Sequence, residues 1–570
     1  MMKHYCFILF LCLGQAISEL FQNGGFESNN FIGNWKCNSC HLSLTNYHVS
    51  GHQSGMVTQR TATWAGISYD VHISTGRTYV VKGYIKLINS VADTMYQKVQ
   101  VMVRGTDSQG HTHYIMVSED RHVQQEFDWT EIGGDFIITN HGMNIITVYI
   151  QVDNKDVNYM LDDMSLIELP VDSHWKSKAN ARIDVYRKSN IDIKIVNGNG
   201  MDTSDLQMEL EQTKSAFAFG TAINADAIHD PTQKGYQDFF YNNFEWAVLE
   251  NALKWRLMEW TQGHANFDRP MAAIRAMRSK GIKIRGHNMY WAADQSVPKW
   301  LSPMSKQELL QAMHTHLNDV ISHTRGTLEH WDVNNEDIHG NYFARHLGNP
   351  NITNDMFRWL HQAEPDVKLF LNEFNVVSSR FSTTAYKEHA RRFKESNVPI
   401  YGVGIQSHFH GSNPDMSTVE YRLNKVAETG LPMWITELTV ENHNAAQKAD
   451  TLEDLMTLYF SHSLVEGMLL WGYSDQHVYS QGIALAHGAD CTPNAAGLRY
   501  QQLYRKWRTD VTTNLHSQTV RGFKGDYTLR IKSHGHTIET RTFTLGDSNK
   551  TLSVSLSGTA AHAHSHTVIA

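Results

Sequence analysis

Between residues 212 and 510, short apolar runs alternate with longer stretches whose apolar residues recur at helical spacing. The runs are SAFAFGTAI (215–223), FEWAVLEN (244–251), IKIRGHNMYW (282–291), LEHWDVNNE (328–336), VKLFLNEFNV (367–376), YGVGIQSHF (401–409), LPMWITELTV (431–440) and GMLLWGYSD (467–475). RPMAAIRAMRSKG and TTAYKEHARRFKESN are two of the amphipathic stretches between them. Eight strand–helix units in this length predict a closed parallel (β/α)8 barrel of the TIM type. A doubly wound open sheet is the competing architecture, but no glycine-rich dinucleotide fingerprint follows the first strand.

Residues 19–170 have a different rhythm. TYVVKGYIKLI (78–88), QKVQVMVRG (97–105), DFIITN (135–140) and NIITVYIQV (144–152) alternate in the period of a strand, with Gly, Asn and Asp clusters between them. This predicts an all-β, jelly-roll-like sandwich. Residues 171–211 read as a linker that opens a helix, followed by a β-hairpin around NIDIKIVNGNGM (190–201). Residues 511–570 are β-rich again and are expected to pack with the 190–211 strands as a small appendage on the barrel.

Nearly every barrel run ends in polar groups. Glu250, Asn251 and Lys254 follow the second, His287 and Trp291 lie on the third, and Asn335 and Glu336 end the fourth. Asn375 closes the fifth, Gln406 and His408 the sixth and Glu437 the seventh, and Trp471 lies on the eighth. The C-terminal strand ends of such a barrel form one rim, where chemistry is done. Taken singly, a Trp is as readily core, a His a satisfied structural residue and a Lys a solvated charge. Together, two carboxylates flanked by amides, imidazoles, an ammonium and indoles suit a sugar, whose hydroxyls need hydrogen bonds and whose flat face needs an aromatic surface.

The formal net charge of −8 argues against a polyanionic partner such as nucleic acid. Residues 1–18, MMKHYCFILFLCLGQAIS, have the basic start, short apolar centre and small residues (Ala16, Ser18) of a cleaved secretory signal, so a secreted, extracellular protein is expected. No other stretch is long and apolar enough to span a membrane. Cys6 and Cys12 leave with that signal. In a secreted chain Cys37 and Cys40 are candidates for a short-range disulfide, leaving Cys491 free. Asn351 and Asn549 stand in glycosylation sequons.

The barrel resembles glycoside hydrolase family 10, the retaining endo-β-1,4-xylanases. WDVNNE is similar to the family's acid/base motif W-D-V-V-N-E, and WITELTV to its nucleophile motif I-T-E-L-D-V. LENALKW, RGHNMYW and GVGIQSHF resemble three further family stretches, and the likeness covers roughly 175–510. It implies Glu336 as acid/base and Glu437 as nucleophile, with Asn335 on the 2-hydroxyl of the sugar being cleaved and His408 orienting Glu437. It also implies that Gln406, His287 and Lys254 hold that sugar, that Glu250 and Asn251 bind its non-reducing neighbour, and that Trp291 and Trp471 wall the cleft. Asn335 and Glu336 are neighbours, and neighbours on a regular strand face opposite ways. A bulge or an early strand end would bring both into one cleft. Thr439, Ala292, Phe374 and Tyr479 depart from the residues usual at their positions (Asp, His, Tyr and Trp). NGGFE, RTATWAG and MLDDMSL in the N-terminal region resemble the β-sandwich carbohydrate-binding modules attached to such enzymes, with Trp64 the leading sugar-stacking candidate and Trp129 a second.

The resemblance implies an endo-1,4-β-xylanase working as a monomer on polysaccharide, with no cofactor and no metal. An endo-β-1,4-glucanase, or an enzyme cleaving both polymers, is the nearest alternative. A polysaccharide-binding protein without activity is the alternative of another class, and it would be favoured by loss of either Glu.

Overall fold

The computed structural model describes residues 18–28, 35–92, 94–140, 142–197, 205–411, 413–514 and 517–556. The expected signal, the C-terminal tail and the turn after Asn197 lie outside the described residues. The chain divides into two compact units, residues 1–171 and 172–570.

In the first unit, alternation within each strand builds two five-stranded antiparallel sheets. One orders Trp35–Asn38, Gly66–His72, Ile145–Val152, Gln97–Thr106 and Thr112–Val123. The other orders His41–Thr45, Ser54–Thr58, Tyr159–Glu168, Thr78–Leu87 and Thr130–Ile137. Gln97–Thr106 buries every second residue, and Val99, Val101 and Val103 meet Ile85, Leu87 and Leu161 in the core. Cys37 and Cys40 are disulfide-bonded between the first two strands. Trp64 is 47% exposed in the connection before Gly66–His72. The buried guanidinium of Arg60 holds that connection: it donates to the carbonyls of Thr63, Ala65, Val152, Asn154 and Val157 at 2.6–2.9 Å. Trp129 is half-buried, stacked 6.0 Å from Tyr47.

The second unit contains a closed barrel of eight parallel strands. Numbered within the barrel they are β1 (Ala218–Ile223), β2 (Trp246–Leu249), β3 (Lys283–Gly286, with a short continuation at Tyr290–Trp291), β4 (His330–Asn335), β5 (Lys368–Glu373), β6 (Gly402–His410), β7 (Met433–Glu441) and β8 (Val465–Leu470). Each pairs with the next, and β1 also pairs with β8, which closes the ring and leaves no edge. The strands are nearly all buried, as expected for a parallel sheet covered by helices.

Among the described residues of 171–211, the two strands expected to form a hairpin do not pair with each other. Helix α1 (Trp175–Arg187) leads into the strand Lys188–Asn197, which pairs with Ser517–Phe523 and Lys550–Leu556. The strand Gln207–Ser215 joins a different sheet, between Asp510–Thr513 and Gly525–Ser533, with His536–Leu545 outermost. The two sheets enclose one core of Ile191, Ile193, Met208, Leu210, Leu529, Ile531 and Val554. Long-range pairing wins over the local turn because it buries the apolar side of both strands. A small sandwich is thereby built from the chain on both sides of the barrel, and Gln207–Ser215 belongs to it rather than to the barrel. Arg187, at the end of α1, donates to the carbonyls of Phe460, His462 and Val465 beside the start of β8.

Candidate active site

The two strands that bring the candidate glutamates to the rim each carry one extra residue: Glu336 directly follows β4, and Glu437 lies at the middle of β7, which runs on to Glu441. Pairing of β4 with β5 slips between Asp332 and Asn334, so Val333 is the bulge. Pairing of β6 with β7 slips so that Thr436 is the bulge before Glu437. A bulge breaks the strict alternation of faces. Glu336 then leaves β4 with φ +59, the left-handed conformation that non-glycine residues rarely adopt. Asn335 and Glu336 can therefore face the same cleft, and the backbone N–H of Glu336 donates to the Asn372 carbonyl on β5 at 2.9 Å.

The two glutamates sit in different electrostatic settings. Glu336 accepts hydrogen bonds from the indole of Trp291 at 2.8 Å and the amide of Gln406 at 3.3 Å, both neutral donors. Burial pushes its carboxyl up to about 7, with the charges of Glu373 and then Glu437 adding to the push. Glu437 lies 3.1 Å from His408 Nε2 and accepts from Asn372 Nδ2 at 3.1 Å. Burial alone would raise its carboxyl. The His408 bond and the nearby His287, His408 and Lys254 outweigh burial and hold it below the usual carboxylate value. One carboxyl is set to carry a proton and the other to carry a charge.

The remaining predicted barrel residues gather around this pair. Lys254 Nζ lies 5.0 Å from the Trp291 ring centre and 5.7 Å from that of Trp471, and donates to Asn251 at 3.1 Å. Burial lowers Lys254, against the pull of Glu437, Glu250 and Glu336. Glu250 is raised by its burial. His287 is fully buried, with Nδ1 3.0 Å from Asp332, which also takes a hydrogen bond from Arg285. The His287 ring meets Trp471 edge-on at 5.4 Å. Asn335 is fully buried; its oxygen accepts from Asn372 at 2.9 Å, and its Nδ2 has no partner among the described residues. A buried amide N–H with nothing to donate to is costly, and a hydroxyl placed there would satisfy it. Among the described residues no group of three or more His, Cys, Asp or Glu side chains could hold a metal ion.

Three features escaped the sequence reading. Asn372, not Asn375, is the β5 residue that enters the site: its amide bridges Asn335 and Glu437, and its oxygen accepts from Thr436 at 2.6 Å. Asn375 lies two residues past the strand end, at φ +56. Asn372 is a polar residue closing an apolar run, the signal already used elsewhere, and could have been found with it. Trp291 holds Glu336 directly as well as flanking the cleft. Thr439 takes up the departure from Asp by placing its hydroxyl 2.9 Å from His408 Nδ1. Outside the cluster, Asn351 and Asn549 are both exposed.

Residues 209–502 match the family model described as glycosyl hydrolase family 10, and residues 18–156 match a model described as a carbohydrate binding domain. The chain is 29% identical over 515 residues to endo-1,4-beta-xylanase 1 of Arabidopsis thaliana, covering 88% of this chain and 52% of that protein. It is 34% identical over 364 residues to the anti-sigma-I factor RsgI6 of Acetivibrio thermocellus, covering 63% of this chain and 47% of that protein. The chain thus spans about half the length of the curated relatives it matches. A crystal structure of the CBM22-1-GH10 modules of a Clostridium thermocellum endo-1,4-beta-D-xylanase 10B, complexed with xylohexaose, is similar with TM-score 0.45 and 16% identity, over 85% of this chain and 97% of that one.

The bridge through Asn372 can be tested by stability. Asn372→Ala strands Thr436 Oγ1 and removes a donor from both Asn335 and Glu437, so a loss of about 1–3 kcal/mol is expected in denaturant unfolding. A loss below about 0.5 kcal/mol would mean that these contacts do not hold the site together.

Proposed function

The chain belongs to glycosyl hydrolase family 10, and from that premise we propose that it is a secreted, retaining endo-1,4-β-xylanase that cleaves internal bonds of xylan by double displacement. The observation that carries this reading is the opposite setting of Glu336 and Glu437, one held protonated and one held ionised in a single cleft. In the first step a Glu437 oxygen attacks the anomeric carbon while Glu336 gives its proton to the departing glycosidic oxygen. The C–O bond breaks and a glycosyl ester forms on Glu437. In the second step Glu336, now a carboxylate, takes a proton from water, and the water oxygen displaces Glu437. Asn335 Nδ2 would donate to the 2-hydroxyl of the reacting sugar. Lys254, His287 and Gln406 would hold that sugar, Glu250 and Asn251 its neighbour, and Trp291 and Trp471 would present flat faces to the chain. The named plant relative, itself a xylanase, supports the choice of polymer. The leader at residues 1–18 would direct secretion, and one copy of the chain would suffice because every proposed group comes from a single barrel.

The N-terminal unit is the proposed polysaccharide-binding module. Trp64 is exposed between Thr63 and Ala65, whose carbonyls Arg60 holds while also donating to those of Val152, Asn154 and Val157, a rigid placement for a stacking surface.

A reducing-sugar assay on xylan beside a soluble cellulose derivative tests the substrate. Faster release from xylan is expected, and release from cellulose alone would overturn the choice of polymer. The kcat/KM profile should be bell-shaped. Activity needs Glu437 ionised, so it falls as pH drops through that residue's lowered value. It needs Glu336 protonated, so it falls as pH rises through about 7. A profile still rising above pH 9 would rule out Glu336 as the acid. Glu336→Ala should lose xylan hydrolysis by roughly 10²–10⁴-fold, yet still form the glycosyl ester from an aryl xylobioside, whose leaving group needs little protonation. Glu437→Ala should be nearly inactive on both substrates, and the reverse pattern would exchange the two roles. Trp64→Ala should weaken retention on insoluble xylan with short oligosaccharides cleaved as before. Unchanged retention would exclude Trp64 as a binding surface.

A further inference from the structure

Glu373 closes β5 and takes no part in the steps above, although it is buried to 1% exposure. Its Oε1 lies 2.6 Å from His339 Nδ1 and accepts the Phe374 backbone N–H at 2.9 Å, and its Oε2 accepts the Ile338 N–H at 3.1 Å. Ile338 and His339 belong to the turn that starts at Glu336, where the N–H groups of His339 and Gly340 donate to the Glu336 carbonyl at 3.1 and 2.9 Å. The turn carrying the acid is thus folded onto the carboxylate of Glu373. On its other side His339 Nε2 lies 3.1 Å from Ser382 Oγ, on the residue just before the helix α2 (Thr383–Glu395). The His339 ring lies flat on Phe374 with centres 3.8 Å apart. The backbone N–H groups can only donate. With His339 Nδ1 donating as well, three hydrogen bonds hold a negative charge at this point.

We propose that Glu373, positioned by His339, is the carboxylate that bears on Glu336 in both halves of the reaction, favouring its protonated form before the first step and its recovery of a proton from water in the second. The proposal rests on the assignment of Glu336 as acid/base. Two carboxylates press on Glu336, and Glu373 presses harder than Glu437. Their histories during turnover differ. The charge of Glu437 is consumed when it becomes an ester, so it is absent when water attacks. The charge of Glu373 is untouched by either step, and in the second step it makes Glu336 a stronger base toward water. Of the other carboxyls near this turn, Asp332 is taken up by Arg285 and His287, and Asp337 lies 2.9 Å from His389. Lys254, beyond β2, is cationic and opposes the effect, and Tyr386 on α2 is itself pushed far up by burial and by Glu373, so it stays neutral. Glu373 is a positioning residue in this account, acting on substrate only through Glu336.

The test is Glu373→Gln in the full chain, a substitution that keeps the size of the side chain and removes its charge. The alkaline limb of kcat/KM on xylan should move down by about one pH unit, with the rate on the acid side, where Glu336 is protonated in either protein, kept within about threefold. A loss equal at every pH, with the limb unmoved, would overturn the proposal and leave Glu373 a structural residue. A second variant, His339→Lys, covers the case in which Glu373→Gln does not fold. It sets a permanent positive charge against Glu373 and should move the limb the same way, and an unmoved limb overturns the proposal. A readout free of turnover separates this proposal from the assigned activity. In the Glu437→Gln chain with ¹³C-labelled glutamate, Glu336 should still titrate above the ordinary carboxylate range, and adding Glu373→Gln should lower it by about one unit. No movement would overturn the proposal even in an active enzyme. Movement in a chain that leaves xylan intact would support it and count against the substrate instead.

Discussion

Three carboxylates, Asp332, Glu373 and Glu437, are buried at the C-terminal end of one barrel, and a fourth, Glu336, is half-buried beside them. Burying one charge is expensive, and burying several together is more so unless each has its own donors. The site is arranged around that cost. Asp332 has the guanidinium of Arg285 and the imidazole of His287; Glu373 has His339 and two backbone N–H groups; Glu437 has His408 and the amide of Asn372. Glu336 has an indole and an amide. Glu437, provided with an imidazole, is held toward its charged form. The one offered only neutral side chains is left to carry a proton. The rim is thus a division of donors, and the difference between the proposed acid and the proposed nucleophile follows that division.

The division depends on backbone irregularity. An unbroken β4 would send Asn335 and Glu336 to opposite faces, and an unbroken β7 would place Glu437 one residue out of step with Gln406. The single bulges at Val333 and Thr436, followed by the left-handed Glu336, correct both. Such conformations cost free energy and persist only where surrounding contacts hold them. Here the holding contacts are Thr436 to Asn372, Asn372 to Asn335 and Glu437, and the Glu336 N–H to the Asn372 carbonyl. Asn372 is the common member, so one amide on β5 ties together the strands that carry Glu336 and Glu437.

Much was legible in the sequence because it depends on local pattern. Each barrel run can be read from its own apolar residues, and polar residues at run ends follow from where those runs stop. The alternating N-terminal strands are equally local, and the CNSC spacing brings Cys37 and Cys40 together over a separation of three residues. The pair Glu336 and Glu437 was identified from neighbouring residues in WDVNNE and WITELTV, without knowledge of what surrounds them.

What the tertiary structure alone decided involves partners far apart along the chain. Lys188–Asn197 and Gln207–Ser215 look like a hairpin by their sequence, yet they are taken into separate sheets by strands more than 290 residues later, because burying two apolar faces in one core outweighs one local turn. His339 and Glu373 meet across 34 positions, Trp291 and Glu336 across 45, Asn372 and Glu437 across 65. No spacing rule predicts such meetings, since barrel closure sets which strand ends become neighbours. The sequence determined which groups could do acid–base chemistry. Closure and bulges decided which carboxyl keeps its proton, because that depends on the charges and donors brought within a few ångströms of it.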